Sequence, residues 1–331
     1  MSATALKLNV ADNPLSELLA RQRAAFAARR EPSDARERLA NLAALEKALM
    51  DRRMDLADAL SEDFGGRARQ ESLLELFVTI DDIRHARARL KGWMKTRRVW
   101  ANWQFLPSRA RLMPQPLGVV GVIGAYNYPV MTALSPAVGA MAAGNHVIIK
   151  PSSLTPKTSA LLKSMVDELY AESHIAVLGG DTEVAKALSR LPLDHLVFTG
   201  STGVGKLVMR AASENLVPVT LELGGKCPAI VGEDFDMQAA AETIVQTKFI
   251  NAGQTCVTND YALVPEARAA EFTAHARAAV LRYYPKLVDN KDYGRVLMPR
   301  DWERLDQWVR EAREGGAKVE SVNPAGERCE A

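Results

Sequence analysis

From Leu117 onward, short β-rich runs alternate with segments rich in Ala and Leu, and this rhythm constrains the chain more than any other feature. Gly118 to Ile123, His146 to Lys150, Ile175 to Leu178, His195 to Phe198 and Val217 to Leu221 read as buried strands, with helices between most of them. Strand and helix in alternation imply a parallel sheet covered on both faces, with the ligand site beyond the carboxyl ends of the strands. The notable polar residues fall at those ends. Asn127 follows the first strand, Lys150 ends the second, Gly200 to Gly205 follows the fourth and Glu222 follows the fifth. No Asp, Glu, Lys or Arg occurs between Arg111 and Lys150, so this stretch needs testing as a membrane span. Pro114, Pro116, Asn127, Pro129, Pro136 and Asn145 interrupt it before about 20 apolar residues accumulate, and no membrane partner is expected.

Before Leu117 the chain is predicted to be helical. Asn13-Pro14 and Ser33 suit helix starts, and two surface helices are expected to end at Gly65-Gly66. From Gln70 to Trp93, Leu73, Leu76, Phe77, Ile80, Ile83, Leu90 and Trp93 recur mostly at three- and four-residue spacing, which predicts one packed helical face. Arg97 to Arg111 carries Val99, Trp100, Trp103, Phe105 and Leu106 around Pro107-Ser108, the pattern of a projecting hairpin suited to an oligomer contact. At 331 residues the chain is long enough for about two domains of ~100 to 200 residues. Forty-two basic against 40 acidic side chains leave a net charge of +2, which offers no electrostatic case for nucleic acid. Three cysteines, Cys227, Cys256 and Cys329, are too few and too scattered for a disulfide framework and suit a reducing cytoplasm. Met1 to Val10 lacks the apolar core of a secretory signal.

Two stretches carry the chemistry. Leu221 to Lys226 sets the Glu222 carboxylate at a strand end beside two glycines, and Asn251 to Cys256 sets a thiol before the apolar run that begins at Val257. A thiol and a carboxylate are the pair that a two-step aldehyde oxidation needs, since sulfur can attack the carbonyl and a base must then activate water. Gly200 to Leu207 nearly matches a phosphate-binding loop, but Leu207 stands where a hydroxyl would hold magnesium. Backbone N–H groups at a helix start after a strand can still bind a pyrophosphate, and a plain tight turn is the other reading. Taken alone, Cys256 would be a small buried hydrophobe and Glu222 a paired or solvated carboxylate. No metal-ligand motif and no serine nucleophile elbow occurs, so no metal is expected.

The segments Ala125-Tyr126-Asn127-Tyr128-Pro129, Lys150-Pro151-Ser152, Phe198-Thr199-Gly200-Ser201, Leu221 to Lys226 and Gly253-Gln254-Thr255-Cys256 together resemble the aldehyde dehydrogenase superfamily, in its order and at its spacings. Asp194 to Phe198, Asn215 to Thr220, Tyr283-Tyr284-Pro285 and Asp292-Tyr293 look most like the bacterial coniferyl aldehyde dehydrogenases. The resemblance implies that Cys256 is the nucleophile, that the Asn127 amide and the Cys256 N–H stabilise the oxyanion, and that Glu222 is the general base. It also implies NAD or NADP as cofactor, held by Lys150, Ser153, Phe198, Gly200, Ser201 and Val204. The expected substrate is an aromatic aldehyde, and a homo-oligomer is the assembly expected of the full-length family member.

Two residues depart from the family pattern. Tyr126 replaces the usual tryptophan before Asn127, and Ser153 replaces the glutamate common after Lys-Pro-Ser, which leaves the choice between NAD and NADP open. The Glu-x-Phe-Gly-Pro segment of the family is not present before Ala331, so a shortened member with an incomplete catalytic domain is expected. The predicted architecture is α/β: a Rossmann-like dinucleotide-binding domain over 1–96 and 115–222, a hairpin over 97–114, and a catalytic domain over 223–331. Two alternatives stay open, a catalytically impaired scaffold and a P-loop nucleotide hydrolase.

Overall fold

The computed structural model describes residues 14–29, 31–288 and 290–324; Met1 to Val10, Asn13, Cys329 and Ala331 lie outside the described residues. Helix α1 (Pro14–Ala27) begins on a proline, whose missing N–H costs nothing in a first turn. Helix α2 (Ala35–Asp51) is capped by Asp34, which accepts from the Glu37 N–H at 2.8 Å, rather than by Ser33. The Ser33 hydroxyl instead accepts from Arg38 Nε at 3.0 Å. The second expected helix is broken at Arg52, and α3 (Arg53–Phe64) follows it. Nor are these merely surface helices: Leu42, Leu45, Leu49, Leu56, Leu60 and Phe64 are buried. Helix α3 ends where Gly65 and Gly66 take positive φ and the Gly66 N–H reaches back to the Ser61 carbonyl at 2.9 Å.

Helix α4 (Arg69–Trp93) covers the predicted stripe, but only part of it is buried. Leu76, Ile80, Ile83 and Leu90 are in the core, whereas Phe77 and Trp93 are each 49% exposed. At roughly 100° per residue Phe77 falls off the buried arc, whereas Trp93 shares the azimuth of buried Glu75 five turns earlier and is the last residue of the helix. Strands β1 (Arg97–Val99) and β2 (Ala110–Leu112) then pair antiparallel, Arg98 opposite Arg111, as the sequence predicts. Trp100, Trp103 and Phe105, between them, are 87%, 73% and 64% exposed.

The sheet comprises β3 (Val119–Ile123), β4 (His146–Lys150), β5 (Ile175–Val177), β6 (His195–Gly200) and β7 (Val219–Leu223), all parallel, in the order β5-β4-β3-β6-β7. Counted along the chain, this is third, second, first, fourth, fifth, the doubly wound order. Helices α5 (Pro129–Ala142) and α6 (Pro156–Leu169), backed by α2, cover one face; α1, α7 (Thr182–Ser189) and α8 (Thr202–Ser213) cover the other. Val119, Ile123, Leu196 and Phe198 join Leu18, Leu188 and Val208 in the core on the second face, which follows from the two-residue period of a strand. Strands β6 and β7 run two residues further than their apolar runs, with Thr199 opposite Glu222 and Gly200 opposite Leu223. Glu222 therefore lies within its strand rather than after it, because backbone pairing continues where the apolar pattern stops.

The chain forms two compact units. One holds the helices up to Asp55 and residues from Glu75 to Leu223. The other holds Leu56–Leu74 and the chain from Gly224. In the second unit, β8 (Cys227–Ile230) pairs parallel with β9 (Asn259–Leu263), and α9 (Met237–Phe249) connects them. Helix α10 (Ala269–Tyr283) packs on α9 through Val245, Ala279 and Val280, and α11 (Pro299–Glu314) follows.

Candidate active site

Except for Cys256, the candidate residues gather in the first unit at the carboxyl ends of its strands. Register aligns Lys150, Ile123, Phe198 and Leu221 in one row across β4, β3, β6 and β7. Strands β3 and β6 flank the point where the strand order reverses, the position at which open sheets of this order bind their ligands. Asn127 lies in the loop after β3 and the glycine loop follows β6. On β7, Val219, Leu221 and Leu223 pack into the core shared with α8, which turns the exposed Glu222 to the opposite face.

Lys150 is only 3% exposed, and its Nζ donates to the Pro151 carbonyl at 2.6 Å. Burial pushes its ammonium below the ordinary lysine range, with Asp181 pulling the other way. Ser153 is exposed in the following turn. The position that caps α6 belongs to Thr155, and the Ser152 hydroxyl accepts from the Leu154 N–H at 3.2 Å. Ser201 caps α8, accepting from the Val204 N–H at 3.4 Å. Ser201, Thr202, Gly203 and Val204 all face solvent, and a Cβ on Gly203 would meet nothing within 4 Å. Gly205 differs: a Cβ there would stand 2.8 Å from Leu223 Cδ2, so its lack of a side chain lets α8 approach β7. A helix start that is open at its first turn and tightly packed just behind it fits a nucleotide pyrophosphate.

Cys256 belongs to the second unit. Before it, Asn251, Ala252 and Gly253 take φ of 52°, 52° and 76°, a left-handed run that side chains on the first two positions disfavour. Two anchors hold the run. Asn251 is fully buried and its N–H donates to the Glu71 carboxylate at 3.1 Å, while the Gln254 side chain donates to the Asn251 and Arg295 carbonyls at 3.0 and 2.9 Å. Cys256 then sits exposed in a turn closed by the Thr258 N–H on the Thr255 carbonyl at 3.3 Å. Cys227 is half-buried, and its thiol donates to the Cys256 carbonyl at 3.8 Å. Among the described residues, no group of three or more His, Cys, Asp or Glu side chains could hold a metal ion. No described helix is long and apolar enough to cross a membrane.

A profile of the aldehyde dehydrogenase family matches residues 13–328. The chain belongs to the aldehyde dehydrogenase family. A relative from Pseudomonas aeruginosa, named "Probable coniferyl aldehyde dehydrogenase", is 47% identical over 308 residues, covering 93% of this chain. The match spans 64% of that relative's own length. A solved structure from Staphylococcus aureus, described as a substrate-bound state of AldH, superposes with a TM-score of 0.84 at 36% identity, covering 91% of this chain and 66% of that one. An aldehyde dehydrogenase from Mycobacterium tuberculosis, solved with NAD+, superposes with a TM-score of 0.80 at 28% identity, covering 92% and 65%.

Two carboxylates of this aldehyde dehydrogenase chain escape sequence reading, Glu71 and Glu75, one turn apart on α4. Glu71 holds the loop before Cys256; burial raises its carboxyl above the usual range, and the Asn251 N–H lowers it again in part. Glu75 is 2% exposed and accepts from the N–H groups of Val130 and Met131 at 2.8 and 3.1 Å. The available signal was a polar residue inside an apolar stripe: Ser72, Glu75 and Thr79 are buried beside Leu76 and Ile80.

Proposed function

We propose that the protein oxidises an aldehyde, aromatic and coniferyl-aldehyde-like, to its carboxylic acid with NAD or NADP. The reading is carried by Cys256, an exposed thiol at the end of a left-handed backbone run tied down by Glu71 and Gln254. An exposed cysteine on a backbone that costs energy to hold is unlike a cysteine placed for packing. The name of the P. aeruginosa relative supports the aldehyde class, and the doubly wound sheet with its open α8 start supports a dinucleotide.

In this proposal the Cys256 thiolate attacks the aldehyde carbon, and the alkoxide that forms is stabilised by the Asn127 side-chain amide and the Cys256 backbone N–H. NAD or NADP, held by Lys150, Ser153, Phe198, Gly200, Ser201 and Val204, would supply the hydride acceptor. Glu222 removes a proton from water, which attacks the thioester on Cys256 and releases the acid and the thiol. The loss of one hydride and one proton balances the oxidation. Leu207, 59% exposed, occupies the position where a phosphate hydrolase would need a magnesium-binding hydroxyl, which disfavours that alternative. A homo-oligomer assembled through the β1–β2 hairpin, on the strength of its exposed Trp100 and Trp103, completes the proposal, in the reducing cytoplasm that three scattered cysteines suit.

The test is mass spectrometry of the chain mixed with coniferyl aldehyde and NAD or NADP. An acyl adduct on the peptide carrying Cys256, together with reduced cofactor, is the expected result. Reduced cofactor forming at an undiminished rate in Cys256→Ala would overturn the assignment.

A further inference from the structure

The loop that carries Asn127 is tethered at both ends by side chains outside the chemistry already assigned. On its N-terminal side, the Thr132 hydroxyl accepts from the Ala125 N–H at 2.9 Å and donates to the Ala125 carbonyl at 3.1 Å. The backbone just before it is packed, since a Cβ on Gly124 would stand 3.2 Å from the Ala133 nitrogen, and the Gly124 N–H donates to the Lys150 carbonyl at 3.0 Å. On its C-terminal side, the loop runs directly into α5, whose first turn begins at Pro129. Tyr128, at the cap position, supplies no side-chain cap to that turn. A helix start without a cap leaves N–H groups unpaired and positively polarised. Here one oxygen of Glu75, reaching across from α4, accepts from both Val130 and Met131.

We infer that Glu75 is a positioning residue for Asn127: its buried carboxylate caps α5 from outside and thereby fixes the loop that presents the Asn127 amide. The inference rests on the proposed oxyanion role of Asn127. Its physical basis is that a stabilising donor acts only if its position is held before charge develops, and a drift of ~1 Å can cost on the order of a hundredfold in rate. Glu75 restricts the start of α5, and α5 restricts Asn127. Both N–H groups converge on a single oxygen, so a glutamine at this position can accept both bonds through its carbonyl.

The test combines kinetics with a spectroscopic reading of Asn127 itself. Glu75→Leu is expected to lower kcat/KM for aldehyde by on the order of tenfold, mainly through kcat, and Glu75→Gln to restore most of it. In an Asn127→Ala background, Glu75→Leu is expected to cause no further loss, because residues acting through one another are not additive. A full, independent loss in that background would overturn the inference, as would a Glu75→Gln variant as impaired as Glu75→Leu. Nitrogen-15 NMR gives a reading that needs no turnover. The Asn127 side-chain amide signal, assigned by its loss in Asn127→Ala, should move in Glu75→Leu and return in Glu75→Gln; an unmoved signal overturns the inference. Should Glu75→Leu fail to fold, Thr132→Val loosens the other tether and is expected to shift the same signal. Unchanged kcat/KM in Asn127→Ala alone would instead defeat the oxyanion reading, while the NMR signal still decides what Glu75 does.

Discussion

At the scale of single residues, Cys256 and Glu222 divide the proposed reaction into two steps that substitution can separate. Cys256→Ala should abolish both reduced cofactor and acid, whereas Glu222→Gln should give a burst of reduced cofactor followed by slow turnover, because the thioester forms but water is no longer activated. Rapid-mixing measurement of reduced nicotinamide checks this, and a burst in Cys256→Ala as large as in the parent would refute it. Ser153 poses a separate question of selectivity. It is exposed and is not the cap of α6, a place held by Thr155, so its hydroxyl is available to a ligand at the end of β4. A glutamate there would accept from ribose hydroxyls and repel a 2′-phosphate. Ser153→Glu is expected to shift the ratio of kcat/KM for NAD over NADP towards NAD by about tenfold, or about 1.4 kcal/mol. An unchanged ratio would remove Ser153 from the proposed cofactor set.

At the scale of elements, the β1–β2 hairpin is the least self-sufficient piece of the chain. A three-residue ladder with no buried position gains little from its own packing, since an isolated two-stranded ribbon is marginal in water. It nevertheless exposes large apolar side chains, with Trp100, Trp103, Phe105 and Leu106 all more than half exposed. Exposed aromatic side chains clustered in this way suit an association site. Replacing Trp100 and Trp103 together with serine should therefore lower the oligomeric state without lowering Tm of the monomeric unit, as sedimentation velocity and thermal unfolding would show. A parent chain that sediments as a monomer at all concentrations would contradict the prediction. The hairpin was legible because Val99, Trp100, Trp103, Phe105 and Leu106 cluster next to the turn residues Pro107-Ser108. The break between α2 and α3 at Arg52 was not, because Met50 to Asp55 contains neither glycine nor proline and nothing local marks an end.

At the scale of the whole molecule, acid sensitivity follows from two histidines near the sheet. His146 is 2% exposed, its ring 4.9 Å from that of His174 and 5.4 Å from that of Phe26, with Tyr170 6.2 Å from His174. Burial lowers both rings, His174 to about 4, with the neighbouring His146 and Arg29 adding to the effect on His174 and Glu37 opposing it. A histidine whose folded pKa lies below its unfolded value binds protons more readily in the unfolded chain, so its contribution is intact above about pH 6.5 and is lost as pH falls towards 4. Tm should drop across that window, and His174→Gln should flatten the drop relative to the parent; equal slopes would show the pair to be irrelevant. By itself the sequence determined the parallel sheet and the order of its motifs, because two-residue alternation and helix and turn chemistry act over a few neighbouring residues. Only the tertiary structure decided that Glu75 caps a helix 55 residues away, that Glu71 holds a loop 180 residues away, and that Leu56–Leu74 joins the later unit. Such partners are chosen by which surfaces pack together, and a buried carboxylate takes whichever unpaired N–H groups that packing brings to it.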